Sequence, residues 1–332
     1  MSRVVRPAAT EETACNLCGA RDEVVVGTRD RDGRPLRTVL CRVCGLVWTN
    51  PRPSAAAMNA YYETSYRADY KGHGSPPLRK IVRGFLGAAE RRTLLRHLLG
   101  QASSSGAGER PRMLDVGCGA GELVYLMRRD GVDASGIEPG IEFSGFARDV
   151  LRVPIQTADV EAAAVQAASQ DLVTMFHALE HVPDPRGLLS VIRSWIAPGG
   201  HLVVEVPNIA ARVQAPSHQY HFSHLHHFTG STLAAIGEAA GLRCIDTMYS
   251  PDAGNVLCVF RCEGDEQRAA VGLESEAAQT LALLSSHTAI GHYSSIVPFA
   301  RAIGRLRRRI AENRLLRDVR DVDDALRWAD SL

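Results

Sequence analysis

At 332 residues and 36.0 kDa, the chain is long enough for one large or two unequal domains. Hydrophobic residues at 45% and charged residues at 23% are ordinary globular values, which exclude collagen-like, mostly disordered and membrane-embedded classes. Lysine plus arginine at 38 against aspartate plus glutamate at 37 leaves +1, so no global field marks the chain for nucleic acid and only a local patch can argue for it.

The opening MSRVVRPAAT lacks the apolar run of a secretory signal, and no stretch approaches the roughly 18 apolar residues of a membrane span. A cytoplasmic location is expected. Cys15-x2-Cys18 and Cys41-x2-Cys44 come first, while the remaining cysteines are scattered at 118, 244, 258 and 262. In a reducing compartment two Cys-x2-Cys pairs are metal spacing. Gly19 and Gly45 follow the pairs and allow the turn that aims backbone N–H groups at sulfur, so Cys15, Cys18, Cys41 and Cys44 are the expected ligands of a structural zinc in a ribbon over 11–50. Short β-like runs at 24–26 and 38–40 lie between turn signals such as Arg31-Asp32-Gly33.

A connector is expected over 51–109. Asn50-Pro-Arg-Pro-Ser54 breaks the chain, and Ser54 can cap a short helix leading into Tyr61, Tyr62, Tyr66 and Tyr70. Apolar spacing at Ile81, Val82, Phe85, Leu86 and Ala89, resuming at Leu94, Leu95, Leu98 and Leu99, predicts a long amphipathic helix. A small-residue linker follows near 100–110.

From 110 to 263 strand and helix patterns alternate. Strands are predicted near 112–116, 133–137, 153–156, 171–176, 200–206, 243–249 and 255–261, with helices near 120–130, 141–150, 185–197 and 230–240. That alternation predicts a doubly wound parallel sheet, and the last two strands fit a hairpin addition. From 264 to 332, Leu273, Ala277, Leu281 and Leu284, then Phe299, Ile303, Leu306 and Ile310, predict helices.

Met113-Leu-Asp115-Val-Gly117-Cys118-Gly119-Ala-Gly121 sits where the first strand of this region turns into its helix, the ligand corner of an open α/β sheet. A dinucleotide fingerprint would need glycine at position 122, where the chain has Glu122, so NAD is disfavoured. Glycines there let a ligand lie on backbone, and Asp115 offers a carboxylate to a cationic group. Glu138 ends the next strand, as an acid that holds ribose hydroxyls would, and Asp159 follows the third.

These motifs, with 171–185 (DLVTMFHALEHVPDP) and Ala197-Pro-Gly-Gly200, resemble those of class I S-adenosylmethionine-dependent methyltransferases over roughly 110–262. The resemblance implies a Rossmann-like α/β domain with a seven-stranded sheet and a cofactor site made by Asp115, Gly117, Cys118, Gly119, Gly121, Glu138, Asp159, Val160 and Phe176. Within it, Asp115 and the glycines would hold the methionyl end, Glu138 the ribose and Asp159 the adenine. The expected partner is a small-molecule acceptor such as a nucleotide sugar, glycan unit or secondary metabolite.

Methyl transfer from a sulfonium needs alignment and, for a weak nucleophile, a base. Candidates are His177, Glu180 and His181 past the fourth strand, and His227 in the histidine-rich run 217–228. The chain is similar to ubiquinone-biosynthesis-type methyltransferases and to zinc-headed sugar C-methyltransferases. The latter pair a four-cysteine head with a histidine before Val-Pro-Asp, matched by His181, and with a His-Phe-Ser/Thr element, matched by His227-Phe228-Thr229. Their Tyr-His-Glu-His element is His224-Leu-His-His227 here, and their further α/β domain has no counterpart, so the histidines carry over and the substrate does not. His177-x2-Glu180-His181 with a later histidine could also bind a second metal, as in methyltransferases bearing Glu-x2-Glu-His, with His177 in place of the first glutamate.

Two alternatives stand beside this reading. An RNA methyltransferase would use the ribbon to hold RNA, but the Asn/Asp-Pro-Pro-aromatic motif of base-amino enzymes is replaced by Phe176-His-Ala-Leu179. The head, moreover, has only six arginines against four acids over 15–48. A non-catalytic cofactor-binding or scaffold protein is the third reading. The basic stretch 301–320, with eight arginines, reads most simply as an amphipathic helix packed on the body or on a second copy in a homodimer. An anionic substrate, RNA or a membrane surface are its other possible partners.

Overall fold

A computed structural model describes residues 9–54, 57, 76–101, 110–263 and 273–332. Tyr61, Tyr62, Tyr66, Tyr70 and most of the small-residue linker lie outside them. At the edge of that gap, the Ala57 N–H donates to Ser54 Oγ at 3.3 Å, the contact expected of a capping serine.

The sheet follows from strands that read as continuous apolar runs. In β6 (Arg112–Val116) and β9 (Gln170–Phe176) nearly every side chain is buried, as required of parallel strands covered on both faces. With β7 (Asp133–Ile137), β8 (Ile155–Gln156), β10 (Ile196–Pro207), β12 (Arg243–Tyr249) and β13 (Asn255–Arg261) they form one seven-stranded sheet in the order β12-β13-β10-β9-β6-β7-β8. Strands β8 through β10 run parallel, and the β12–β13 hairpin joins antiparallel to β10. All seven predicted strands are present; the fifth is longer than expected, starting at Ile196 with an irregularity before His201. The helices Glu122–Arg129, Ile141–Asp149, Pro185–Trp195 and Gly230–Ala239 fall within two residues of expectation at either end. The chain reverses its direction of build-up between β6 and β9, the switch point where open α/β sheets place their ligands.

Each face of the sheet has its own apolar core. One contains the helix Leu78–Gln101 through Ile81, Phe85 and Leu95, together with Leu123, Met127 and Ala325. The other contains Leu189, Ile192, Phe228 and Ile236 and runs without a break into Leu17, Val39, Leu46 and Trp48 of the cysteine-bearing segment. That segment folds as β2 (Glu23–Arg29), β3 (Pro35–Cys41) and β4 (Val47–Thr49), with β1 (Thr10–Glu11) paired to β5 (Arg52–Pro53). Its sheet gains a fourth strand from far along the chain. β11 (His226–His227) pairs antiparallel with β4, His226 opposite Trp48 and His227 opposite Val47. Tyr220 packs its ring where a side chain on Gly27 would stand and donates its hydroxyl to the Val26 carbonyl at 3.2 Å.

The C-terminal helices strap this assembly together. Ala277, Leu281 and Leu284 of the helix Glu274–Ser286 pack with Leu40 and Val47 of the head. Trp328 of the helix Val322–Ala329 meets Phe85 edge-on, ring centroids 6.5 Å apart. The helix Val297–Asp318 is held through Glu312, which is 1% exposed and paired with Arg79 at 3.0 Å and Arg83 at 2.6 Å. Its stripe Phe299, Ile303, Leu306 and Ile310 does not pack on the body: these side chains are 44–64% exposed. The face toward the protein is instead the one bearing Glu312, Leu315 and Leu316. Among the described residues, no helix is long and apolar enough to cross a membrane.

Candidate functional site

The four head cysteines converge. The Cys15 and Cys44 sulfurs are 3.4 Å apart, those of Cys18 and Cys41 are 3.5 Å apart, and all four lie within 4.8 Å of one another. Gly19 and Gly45 take positive φ, and their N–H groups donate to the carbonyls of Cys15 and Cys41, closing each knuckle. None of the four is in a disulfide. A tetrahedral thiophilic ion with metal–sulfur bonds of about 2.3 Å needs sulfurs about 3.8 Å apart, so the donor set fits.

The glycine turn after β6 gathers buried carboxylates. Asp115 is 4% exposed and accepts the Thr174 hydroxyl at 2.7 Å; burial pushes it up to about 7 against the pull of Thr174 and Arg91. Glu122, at the first turn of its helix, is likewise pushed by burial to about 7. Glu138 accepts from the Gly119 N–H at 3.0 Å and the Gly140 N–H at 2.8 Å, and burial raises it too. Gly119 has φ +56, and a Cβ there would meet nothing within 4 Å, so the turn leaves open space above bare backbone. Gly121 has a packing role instead, since its Cβ would strike Ala147 at 2.9 Å. The Cys118 sulfur is tucked against Gly136, where an added Cβ would come within 2.6 Å of it. Asp159 is exposed at the start of the short turn Val160–Ala162, with Val160 half-buried beside it.

Past β9 the histidines assemble unevenly. His177 takes φ +53, an uncommon left-handed conformation that histidine adopts more readily than most non-glycine residues. Its Nε2 lies 2.9 Å from Glu205 and its Nδ1 3.8 Å from Glu180. Burial would lower its imidazolium, but the nearby carboxylates of Glu180 and Glu205 outweigh that and push it up to about 9. Glu205 also pairs with Arg91 at 2.8 Å, and the Arg91 guanidinium stacks 3.9 Å over the Phe176 ring. The His181 Nδ1 lies 2.8 Å from the Ser223 carbonyl. A carbonyl only accepts, so Nδ1 carries a proton, and in the neutral ring Nε2 is the acceptor, 3.9 Å from Glu180. Glu180 is 2% exposed and its Oε2 has no hydrogen-bond partner. Ligand atoms of Glu180, His181 and His224 lie within 4.8 Å of one another, a donor set that could also receive a cation.

Of the sequence candidates, His177, Glu180 and His181 therefore meet at the end of β9, joined by His224. His227 is set back on β11, 6% exposed, against the Tyr220 ring. Burial lowers it to about 3 and His224 to about 2. Sequence reading missed Arg91, Glu122, Thr174 and Glu205 as parts of the site. Glu122 could have been found as an acid following the glycine run; the other three carry no local signal.

The raised pKa of His177 has a consequence for stability. Its ion pairs contribute fully below the unfolded value near 6.5 and are lost as pH rises through about 9. Urea titrations from pH 7 to 10 are expected to show wild type losing stability relative to His177→Gln; parallel curves would contradict a charged His177.

Known proteins resemble this chain over its central region. Residues 88–247 match the family model described as "Methyltransferase domain". The ubiquinone biosynthesis O-methyltransferase of Cronobacter sakazakii is 36% identical over 107 residues, covering 30% of this chain and 44% of that protein. The Aeromonas salmonicida protein of the same name is 33% identical over 152 residues, covering 40% and 62%. The matches thus span between about two fifths and three fifths of these relatives' length. A solved S-adenosylmethionine-dependent methyltransferase from Mesorhizobium loti is 17% identical with a TM-score of 0.43, covering 52% of this chain and 97% of that one. Residues 88–247, just under half of this chain, thus resemble a methyltransferase domain; they lie within the region that forms the mostly parallel seven-stranded sheet, and a four-cysteine cluster precedes them.

Proposed function

We propose that this protein transfers a methyl group from S-adenosylmethionine to a hydroxyl of a small-molecule acceptor, with His181 as the general base. The observation that carries the reading is the set of three buried carboxylates, Asp115, Glu122 and Glu138, around an open glycine turn that faces the end of β9. S-adenosylmethionine supplies an activated methyl and two cationic centres. Asp115 with the backbone of Gly117–Gly121 would take its methionyl end, Glu138 the ribose, and Asp159 with Val160 the adenine side. Phe176, braced by Arg91, would wall the pocket.

On the acceptor side, His181 has the right tautomer. The Ser223 carbonyl holds its Nδ1–H, leaving Nε2 to take the acceptor's proton as the new bond forms, while Glu180 stabilises the imidazolium that results. His227 is less suited because its burial opposes protonation, and His177 is already charged at neutral pH. The similarity to ubiquinone biosynthesis O-methyltransferases favours oxygen as acceptor. A nucleotide sugar, glycan unit or secondary metabolite bearing a hydroxyl remains the substrate class. The head would hold a zinc ion through Cys15, Cys18, Cys41 and Cys44, with all four positions filled by protein and a structural role.

The test is to give the full chain methyl-labelled S-adenosylmethionine with a small-molecule extract or with total RNA from the source organism. Label is expected in the small-molecule fraction. His181→Ala should slow its appearance by about 10²–10⁴-fold, while S-adenosylhomocysteine affinity stays within about threefold. Label in RNA, or turnover indifferent to His181→Ala, would overturn the reading. For the head, elemental analysis should find about one zinc per chain, and chelation should loosen the fold as read by circular dichroism; a metal-free protein of unchanged stability would remove the zinc.

A further inference from the structure

The helix Val297–Asp318 leaves a long apolar seam in solvent. Phe299 is 64% exposed, Ile303 52%, Leu306 59% and Ile310 44%, and Ile296 just before them is 79% exposed. Spaced alternately by three and four residues, these side chains share one face of the helix. They extend over about 21 Å at 1.5 Å per residue. Ile290 and Tyr293, on the short helix Ala289–Tyr293, are exposed as well. Among the described residues nothing covers the seam, because the helix is anchored through Glu312, Leu315 and Leu316.

The charges beside the seam select the partner. Arg307, Arg309, Arg314 and Arg317 are exposed and fall on or beside the apolar face at helical spacing. The acids of this helix are Glu312, consumed by Arg79 and Arg83, and Asp318 at its far end. A second copy of the same helix would place arginine against arginine along the seam, with only Asp318 at the far end to pair them. RNA would match the arginines and leave the apolar side chains in water. We propose that this helix docks the protein on an anionic membrane surface, lying flat with Phe299, Ile303, Leu306 and Ile310 below the headgroups and the arginines among the lipid phosphates. The protein would then work beside the bilayer, peripherally bound.

The experiment is co-sedimentation of the full chain with vesicles of phosphatidylcholine alone or mixed with phosphatidylglycerol. Binding is expected only to the mixed vesicles, weakening as salt rises. Ile303→Ser with Leu306→Ser should abolish it without changing the circular dichroism spectrum, since both side chains are already in water. Arg307→Gln with Arg309→Gln should weaken it by about an order of magnitude. No vesicle binding, equal binding to neutral vesicles, or indifference to the apolar pair would each overturn the proposal. A dimer by light scattering that is lost in the apolar variant, with no lipid bound, would show the seam to be self-association. RNA binding that depends on the arginines alone, again with no lipid bound, would assign the patch to nucleic acid.

Discussion

Three carboxylates are buried around one glycine turn, and the positive charge near them is insufficient. Asp115, Glu122 and Glu138 are each under 10% exposed. Lys80 eases Glu122 and Glu138, and Arg91 eases Asp115, yet Arg91 is already committed to Glu205 and Phe176. Burying an acid costs free energy unless it is paired or protonated, and here burial raises all three. A cationic ligand lying on the glycine turn would relieve that cost. The same carboxylates that weaken the empty fold would then bind the donor.

The proposed base, His181, depends in turn on the cysteine-bearing head. Its strand β4 pairs with β11, and the Thr49 N–H donates to the Leu225 carbonyl at 2.9 Å. This fixes the segment that carries Ser223 and His224. Ser223 in turn sets the tautomer of His181. Buried His226 ties the same strand to the loop after β9 and to the head, through the Val182 carbonyl and the Asn16 side chain. The head therefore shapes the surroundings of His181 from behind, through one shared apolar core and one shared sheet. Loosening the cysteine cluster would disturb His181 without touching the glycine turn.

Much of this was legible in the sequence because it is local. Parallel strands covered on both faces read as apolar runs, and β6 and β9 did so. The cysteine pairs and the glycine turn announce themselves by spacing, and Asp115 and Glu138 by their place at strand ends. What escaped is what the chain brings together from a distance. Arg91 and Glu205 lie 114 residues apart, and the pairing of His226 with Trp48 joins opposite ends of the fold. No window of sequence contains either. The stripe from Phe299 to Ile310 shows the converse limit: its periodicity correctly gave a helix, but periodicity does not say which face finds a partner. Glu312, which reads as one acid among arginines, decided that by turning toward Arg79 and Arg83.

Calorimetry of S-adenosylmethionine binding against pH tests the central claim most directly. Asp115 and Glu122 are raised to about 7, so a cationic ligand that needs them ionised must expel protons near neutrality. Affinity should rise from about pH 6 to about pH 8 and then level off, with proton release at pH 7 detected by comparing buffers of different ionisation enthalpy. Affinity that is flat across this range, with no proton released, would show that the buried carboxylates do not receive the donor.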